Sequence, residues 1–285
     1  MIRKLLLVLE MIKFRHTIFA LPFAFLGAFL ASRGLPTWHN SAWILVAMVG
    51  ARSAALAFNR LADHRFDALN PRTSSRALPA GQLSRNFVAL FTLVSTALFF
   101  LAAWNLNRLA LVLAPLAIVI VFAYSLTKRV TPLSHLFLGL SLAIAPVGGW
   151  VAVLGSLEWD PLLIALAVAF WAAGFDVIYA CQDVEFDLKM GLHSIPRHFG
   201  ISDSLRISRV FHLVMLGFLF LAFRVSGLSW LSWIGFTIVA ISLLYEHSLV
   251  KADDLSRVNL AFFTVNGVIS IALLFFVGID LHLAS

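Results

Sequence analysis

Long apolar blocks separated by short polar segments dominate the pattern of this chain. The blocks are about 17 to 25 residues long, which is the length that an α-helix needs to cross a bilayer. None of them alternates apolar and polar residues with a period of two, so the pattern excludes a membrane β-barrel. The pattern predicts an all-α polytopic membrane protein with about nine transmembrane helices, at 15–32, 42–60, 87–104, 109–127, 134–154, 161–182, 207–223, 228–247 and 258–279.

No long linker or low-complexity segment divides these blocks, so residues 1–285 are expected to form a single transmembrane domain. The chain begins with MIRKLLLVLEMIKF, which resembles a signal peptide for a few residues. Glu10, Lys13 and Arg15 interrupt its apolar run before it is long enough, so we expect a short amphipathic helix on the membrane surface. Cys181 is the only cysteine, which excludes an intrachain disulfide bond.

The composition supports the membrane interpretation. Hydrophobic residues make up 61% of the chain and charged residues only 12%, whereas a soluble domain has about 25% charged residues. So few charges cannot cover a water-facing surface. The chain is therefore not expected to be soluble.

The net charge of +7 reflects topology rather than a nucleic-acid partner. Of the 21 lysines and arginines, only Arg33, Arg108 and Arg224 fall at the loops on one side of the predicted spans. The others fall at the N-terminus or on the opposite side. The positive-inside rule then places the N-terminus in the cytoplasm and the C-terminus outside. We expect a multi-pass protein of the inner (cytoplasmic) membrane and no binding to nucleic acid.

A first acidic motif follows the second predicted span. Asn59, Asp63 and Asp67 are spaced four residues apart, which places them on one face of a helix. Carboxylate and amide oxygens suit a hard cation, above all Mg²⁺. Arg52 lies seven residues before Asn59 and adds a positive charge to the same face.

A second acidic motif, Asp176, Asp183 and Asp187, ends the sixth predicted span. These residues and Tyr179 fall close to one helical face. Asp176 lies inside an apolar run, where a charge costs about 3 kcal/mol and usually marks a functional site. Both motifs end spans that exit towards the cytoplasm, so we expect them to meet in a central cavity that faces the cytoplasm.

The chemistry that these groups share is the binding of a diphosphate. Carboxylates repel phosphate, so Mg²⁺ has to bridge them, with one or two carboxylates for each ion. The remaining phosphate oxygens need cations, because arginine forms paired hydrogen bonds to phosphate and lysine supplies a point charge. The candidates on the same side are Arg72, Arg76, Lys128 and Arg129.

The two motifs, together with PRTSSRALPAG after the first, KMGLHS after the second and YSLTKR after the fourth span, resemble the UbiA superfamily of intramembrane prenyltransferases. The resemblance implies a polyprenyl diphosphate bound through two Mg²⁺ ions, with its tail in an apolar tunnel open to the bilayer. It assigns metal binding to Asn59, Asp63, Asp67, Asp183 and Asp187. It assigns diphosphate binding to Arg72, Arg76, Tyr124 and Lys128. It also implies that Asp176 and Tyr179 line the same cavity.

The implied reaction is the transfer of the polyprenyl group to an aromatic ring. The stretches MIKFRHTIFALPFAF, ARSAALAFNR and GFDVIYACQDVEFD resemble the 4-hydroxybenzoate polyprenyltransferase-like subgroup. That subgroup includes futalosine-pathway menaquinone enzymes, so the acceptor is 4-hydroxybenzoate or 1,4-dihydroxy-6-naphthoate. Arg52 is expected to pair with the acceptor carboxylate or with an internal partner such as Asp63. Asp176 or Asp183 is expected to help deprotonate the acceptor.

The sequence leaves the prenyl chain length, the ubiquinone or menaquinone pathway and the oligomeric state open. Rival interpretations are a cation-coupled transporter, a CDP-alcohol phosphotransferase and a UbiA-type enzyme with a different acceptor. A transporter would show broken helices at mid-membrane, but the acidic motifs lie at span ends. The phosphotransferase signature DG-x2-AR is absent from the chain.

Overall fold

The computed structural model describes residues 2–12 and 20–284, and these residues form helices joined by turns and loops, of which the connection 70–84 is a long one. In chain order the helices are α1 Ile2–Met11, α2 Leu21–Ser32, α3 Trp38–Leu69, α4 Arg85–Leu106, α5 Arg108–Thr127, α6 Ser134–Leu154, α7 Asp160–Ala180, α8 Val184–Met190, α9 Ile195–Val225, α10 Trp230–Leu249, α11 Val258–Leu260 and α12 Asn266–Ala284. A 3₁₀ turn, Cys181–Asp183, joins α7 to α8, and a π-helical turn, Ala261–Val265, joins α11 to α12. The all-α prediction is confirmed.

Seven of the predicted spans correspond to helical segments that are long and apolar enough to cross a membrane within the described part of the chain. The other two correspond to α2, a shorter apolar helix, and to α10. Residues 15–19 of the first predicted span lie outside the described residues. The count of nine spans and the orientation of the N-terminus remain predictions.

Side-chain caps set where several helices begin. The side chains of Thr37, Ser84, Asn107 and Ser194 each accept a hydrogen bond from a backbone N–H in the first turn of the helix that follows. Such caps satisfy backbone donors that have no partner within the helix. Ser194 fixes the start of α9 beside the second acidic motif.

The core lies among α2, α6, α7, α9, α10 and α12, where Trp171 of α7 is fully buried. Helices α3, α4 and α5 pack beside this core, with α3 against α4 and α5 against α6. Met11 and Ile12, at the end of α1, pack against Ala57 of α3 and Leu78 of the loop that follows α3. The predicted N-terminal helix therefore forms and contacts the end of α3 that bears the first acidic motif.

Small residues let α6 approach two neighbours backbone to backbone. A Cβ atom added to Gly149 would overlap the carbonyl oxygen of Ala24 in α2, and one added to Gly139 would overlap that of Ala169 in α7. Membrane helices associate through such small residues, because lipid provides little hydrophobic driving force between them. These contacts fix α6 and α7, which form one side of the cavity described below.

The contact between α2 and α6 gives a stability prediction with an internal control. Gly149→Ala is expected to destabilise the protein by about 3 kcal/mol, because the Ala24 backbone cannot yield to the new methyl group. Gly148→Ala should be tolerated, since a Cβ there meets no atom within 4 Å. Thermal unfolding in detergent checks this, with a midpoint about 5 °C or more lower for Gly149→Ala only. Equal midpoints for the two variants would contradict the close packing.

Candidate active site

A cavity of about 510 Å³ lies between α3 and α5 on one side and α6 and α7 on the other. Its polar end is formed where α3, α5 and α7 end. Its remaining wall is mostly apolar and extends along α3, α5 and α6 to residues such as Ile44, Ala110 and Val151. The sequence-predicted site residues all line this one cavity: Arg52, Asn59, Asp63, Asp67, Arg72, Arg76, Tyr124, Lys128, Asp176, Tyr179, Asp183 and Asp187.

The first acidic motif lies on one continuous helix, α3, as its spacing predicts. The Asn59 amide donates to Asp63 Oδ2 at 3.0 Å, and both face the cavity. Asp67, one turn further on, accepts two hydrogen bonds from Arg76, at 2.7 and 2.9 Å. The α3 side of the cavity therefore presents an amide and two carboxylates over two turns.

The second acidic motif departs from the predicted single helical face. Helix α7 ends at Ala180, and Asp183 lies in the 3₁₀ turn before α8. A 3₁₀ turn winds with three residues per turn instead of 3.6, so a face extrapolated from α7 is wrong beyond that point. Asp176, Asp183 and Asp187 nevertheless all line the cavity.

Asp183 is held by Arg72 in a two-pronged ion pair. Arg72 Nε donates to Oδ1 at 3.0 Å and NH2 donates to Oδ2 at 2.6 Å, while NH1 donates to the Tyr179 hydroxyl at 3.0 Å. Burial alone would lower the pKa of the Arg72 guanidinium. The hydrogen bonds and the charge of Asp183 outweigh burial, so this pKa lies above its ordinary value. Arg72 therefore stays protonated wherever the protein is folded.

Asp187 is fully buried and pairs with a second cation. Lys128 Nζ lies 2.9 Å from its Oδ1, and the Ser194 hydroxyl donates to its Oδ2 at 2.8 Å. Each predicted phosphate-binding cation of the set Arg72, Arg76 and Lys128 thus contacts a predicted metal-binding carboxylate. Arg129 donates to the carbonyl oxygen of Ala62 at 2.6 Å and also lies 3.5 Å from Asp63. Cations and carboxylates are therefore paired at the polar end of the cavity.

Asp63, the internal partner expected for Arg52, instead contacts Asn59 and Arg129. Arg52 is half-buried, and its buried Nε has no hydrogen-bond partner within the described residues. Arg52 also lines the cavity. It lies on α3 seven residues before Asn59, on the N-terminal side of the acidic motif. A half-buried cation whose Nε has no partner in the described part of the chain is suited to an anionic group of a bound molecule.

Several polar residues of the site were not singled out from the sequence. Asn70 donates to Asp183, Arg60 lies 3.5 Å from Asp67, and Ser125 accepts from Asn59. His135 of α6 lies 2.7 Å from Asp176. Asn70 follows Asp67 by three residues at a helix end, so the spacing of the first acidic motif could have predicted it. The contact of His135 with Asp176 could not be predicted in this way, because it depends on how α6 packs against α7.

Aromatic rings close the cavity beside Tyr179. The ring of Phe262, in the π-helical turn, lies 4.4 Å from that of Tyr179 and 5.1 Å from that of Phe175. The Asn266 amide donates to the carbonyl oxygens of Ala261 and Phe262, which stabilises the widened turn. Electron-rich ring faces of this kind stabilise a nearby positive charge.

The model of the UbiA prenyltransferase family matches residues 20–279 of the chain.

The chain belongs to the UbiA prenyltransferase family.

It is therefore a multi-pass membrane prenyltransferase, and the resemblance drawn from its motifs is confirmed. This membership decides against the transporter and the CDP-alcohol phosphotransferase. The chain is 31% identical to the 4-hydroxybenzoate octaprenyltransferase of Tolumonas auensis, over 88% of this chain and 87% of the relative. It is also 31% identical to the enzyme of the same name from Aliivibrio fischeri, over 86% of each chain.

Solved structures of UbiA homologues have the same fold. The apo structure of the homologue from Aeropyrum pernix matches with a TM-score of 0.85 and 33% identity, over 93% of this chain and 98% of that one. A homologue from Archaeoglobus fulgidus, solved with GPP and Mg²⁺, matches with a TM-score of 0.76 and 21% identity, over 97% and 99% of the two chains. At that identity the second match establishes the fold alone.

Proposed function

We propose that this prenyltransferase transfers a polyprenyl group from polyprenyl diphosphate to an aromatic hydroxy acid in quinone biosynthesis, in a reaction that depends on Mg²⁺. One observation supports this most directly. Carboxylates and cations form ion pairs at the polar end of a cavity whose remaining wall is mostly apolar. A lipid diphosphate has the matching division into a charged head and a long apolar tail.

The donor set at the polar end fits Mg²⁺. Amide and carboxylate oxygens face the cavity from α3 and from the segment after α7, and Mg²⁺ prefers oxygen ligands. No three histidine, cysteine, aspartate or glutamate side chains lie close enough to hold a metal by themselves among the described residues. Mg²⁺ does not need such a cage, since it takes one or two carboxylates and completes its shell with phosphate oxygens and water. The residues that would hold two ions are Asn59, Asp63, Asp67, Asp183 and Asp187.

The chain's own residues bind and orient the two substrates. Arg72, Arg76 and Lys128 bind diphosphate oxygens and stabilise the negative charge that grows as the allylic C–O bond breaks, with Tyr124 and Tyr179 beside them. Bound Mg²⁺ supplies further charge neutralisation of the leaving diphosphate. The apolar wall holds the tail and keeps water from the allylic cation, which would otherwise be hydrolysed.

The acceptor is an aromatic ring that carries a carboxylate. Arg52 supports this, because it is a half-buried cation in the cavity wall whose Nε has no partner among the described residues. The names of the two bacterial relatives favour 4-hydroxybenzoate, and 1,4-dihydroxy-6-naphthoate offers the same carboxylate to Arg52. Asp176 is better suited than Asp183 to accept the acceptor proton, since both oxygens of Asp183 are bound by Arg72.

The site is proposed to face the cytoplasm across the inner membrane. The distribution of lysine and arginine supports this orientation, because the polar end lies where α3, α5 and α7 reach the basic loops. The enzyme then receives its aromatic acceptor from the cytoplasm and its lipid donor from the bilayer.

An assay with purified protein in detergent tests the proposal. Mg²⁺ and radiolabelled polyprenyl diphosphate are supplied with 4-hydroxybenzoate and with 1,4-dihydroxy-6-naphthoate in parallel. We expect prenylated product from one acceptor, abolished by chelation of Mg²⁺ and by Asp63→Ala, because Asp63 faces the cavity. Arg65→Ala, on the exposed side of the same helical turn, is the control and should retain activity.

The failures of this assay are distinguishable. Binding of the lipid diphosphate without product from either acceptor would overturn the acceptor class and retain the donor. Absence of lipid diphosphate binding would overturn the donor as well.

A further inference from the structure

His135 and Asp176 form a contact in the cavity wall that no sequence motif indicates. His135 lies in the first turn of α6 and Asp176 lies one turn before the end of α7. His135 Nδ1 and Asp176 Oδ2 are 2.7 Å apart, and both residues line the cavity. The pair is at the boundary between the charged end and the apolar wall.

The hydrogen bonds of His135 determine which of its nitrogens holds the proton. The backbone N–H of Ile195, at the start of α9, is directed at Nε2 at 3.3 Å. A backbone amide only donates, so Nε2 accepts and a neutral imidazole has its proton on Nδ1. Nδ1 therefore donates to Asp176. His135 is only 1% exposed, so its ring is held between α7 and α9 in this orientation.

Asp176 keeps one oxygen available to the cavity. Its Oδ2 accepts from His135, whereas its Oδ1 has no hydrogen bond within the described residues, and its side chain is 20% exposed. Asp183 has both oxygens bound by Arg72, and Asp187 is paired with Lys128 and Ser194. Of the three carboxylates in the second acidic motif, Asp176 is thus the one that no lysine or arginine pairs with among the described residues, and its Oδ1 accepts no hydrogen bond there.

We infer that His135 is a positioning residue, which holds the Asp176 carboxylate with Oδ1 towards the aromatic acceptor so that Asp176 accepts the proton displaced by prenylation. This inference rests on the proposed function and deepens it. A histidine that donates through Nδ1 to a carboxylate fixes the orientation of that carboxylate. Precise placement matters, because a displacement of about 1 Å lowers the rate of a positioned reaction by about 100-fold.

The step conserves atoms and electrons. The C–O bond of the donor breaks, and its electron pair leaves with the diphosphate. A pair from the aromatic ring forms the new bond to the allylic carbon. The hydrogen on that ring carbon then leaves as a proton to Asp176 Oδ1, and its bonding pair restores the aromatic ring. His135 keeps its own proton throughout and donates the same hydrogen bond before and after the transfer.

Two amide substitutions of similar size, His135→Asn and His135→Gln, distinguish a role of His135 in positioning Asp176 from a purely structural role. In His135→Asn the side-chain amide takes the place of Nδ1 and still donates to Asp176. In His135→Gln the longer amide takes the place of Nε2, where it accepts from the Ile195 N–H but leaves Asp176 without its donor. If His135 only ties α6 to α9, the glutamine variant is the better replacement. If His135 positions Asp176, the asparagine variant is the better replacement.

Full-length variants in detergent are assayed with the acceptor that gives product in the wild type and with the same acceptor deuterated on the ring. We expect kcat of His135→Gln to fall by about 10- to 100-fold with KM for both substrates unchanged, whereas His135→Asn stays within about 3-fold of wild type. A kinetic isotope effect on kcat should appear in His135→Gln and in Asp176→Asn, because proton loss becomes slow. Thermal midpoints are measured alongside.

Each other outcome overturns the inference. A glutamine variant with wild-type kcat would exclude the positioning role. Equal losses in both variants that follow their thermal midpoints, without an isotope effect, would assign His135 to stability alone. Absence of product in the wild type with any aromatic acid would overturn the proposed function and this inference with it. Failure of this inference alone is distinguishable, because the wild type then still gives product.

Discussion

Asp183→Asn is expected to lower kcat/KM for the polyprenyl diphosphate by at least ~1,000-fold, which corresponds to about 4 kcal/mol of lost transition-state stabilisation. The asparagine has the same shape but no charge. It therefore removes a proposed Mg²⁺ ligand and leaves the Arg72 fork, now bonded at 3.0 and 2.6 Å, without its carboxylate. Steady-state kinetics over a range of Mg²⁺ concentrations measures the loss, and donor binding measured with and without Mg²⁺ shows whether the metal-dependent part has disappeared.

Glu185→Gln is the matched control for this variant. Glu185 lies two residues further along the chain, is exposed and does not line the cavity. The change removes the same negative charge from the same region, so it reports any effect of net charge alone. Normal activity and normal Mg²⁺ dependence in Asp183→Asn, or equal losses in the two variants, would contradict the proposed metal role of the second acidic motif.

Arg52→Met is expected to raise KM for a carboxylate-bearing acceptor by about 100-fold with little change in KM for the lipid donor. Loss of one member of a buried charge pair costs about 2–5 kcal/mol, and methionine preserves much of the length and apolar contact of the arginine stem. The neutral amide and the methyl ester of the acceptor measure the charge contribution directly. Wild type should discriminate strongly against them, and Arg52→Met should lose most of that discrimination.

Arg52→Lys completes this series, since it keeps the charge and loses the planar fork. We expect an intermediate KM for the acceptor. Arg52→Met with unchanged acceptor KM, or with unchanged discrimination against the neutral analogues, would show that the acceptor carboxylate binds elsewhere in the cavity.

The sequence predicts the first acidic motif in full because that motif is a local feature. Asn59, Asp63 and Asp67 lie on one uninterrupted helix, and helical periodicity alone then sets their shared face. The 32-residue helix is about 48 Å long, so it crosses a bilayer and still extends far enough to hold the motif. The same reasoning predicts the membrane helices, since each backbone polar group in lipid must be satisfied within its own helix.

The second acidic motif shows where local reasoning stops. The periodicity of α7 predicts Asp176 correctly, but the 3₁₀ turn at Cys181–Asp183 changes the helical winding before Asp187. That turn is stabilised by contacts from other elements, including Arg72 on Asp183 and Ser194 on Asp187. Such contacts join residues distant in the chain and have no periodic signature.

The sequence by itself determined the fold class, the family and a set of charged residues that share one cavity, because apolar block length, helical spacing and charge distribution are properties of the chain. Only the tertiary structure decided which residues become partners. It placed Arg72 on Asp183, left the Nε of Arg52 without a partner among the described residues, and joined His135 to Asp176 across 41 residues. The physical reason is that a hydrogen bond or ion pair depends on distances of about 3 Å, and packing between helices sets those distances.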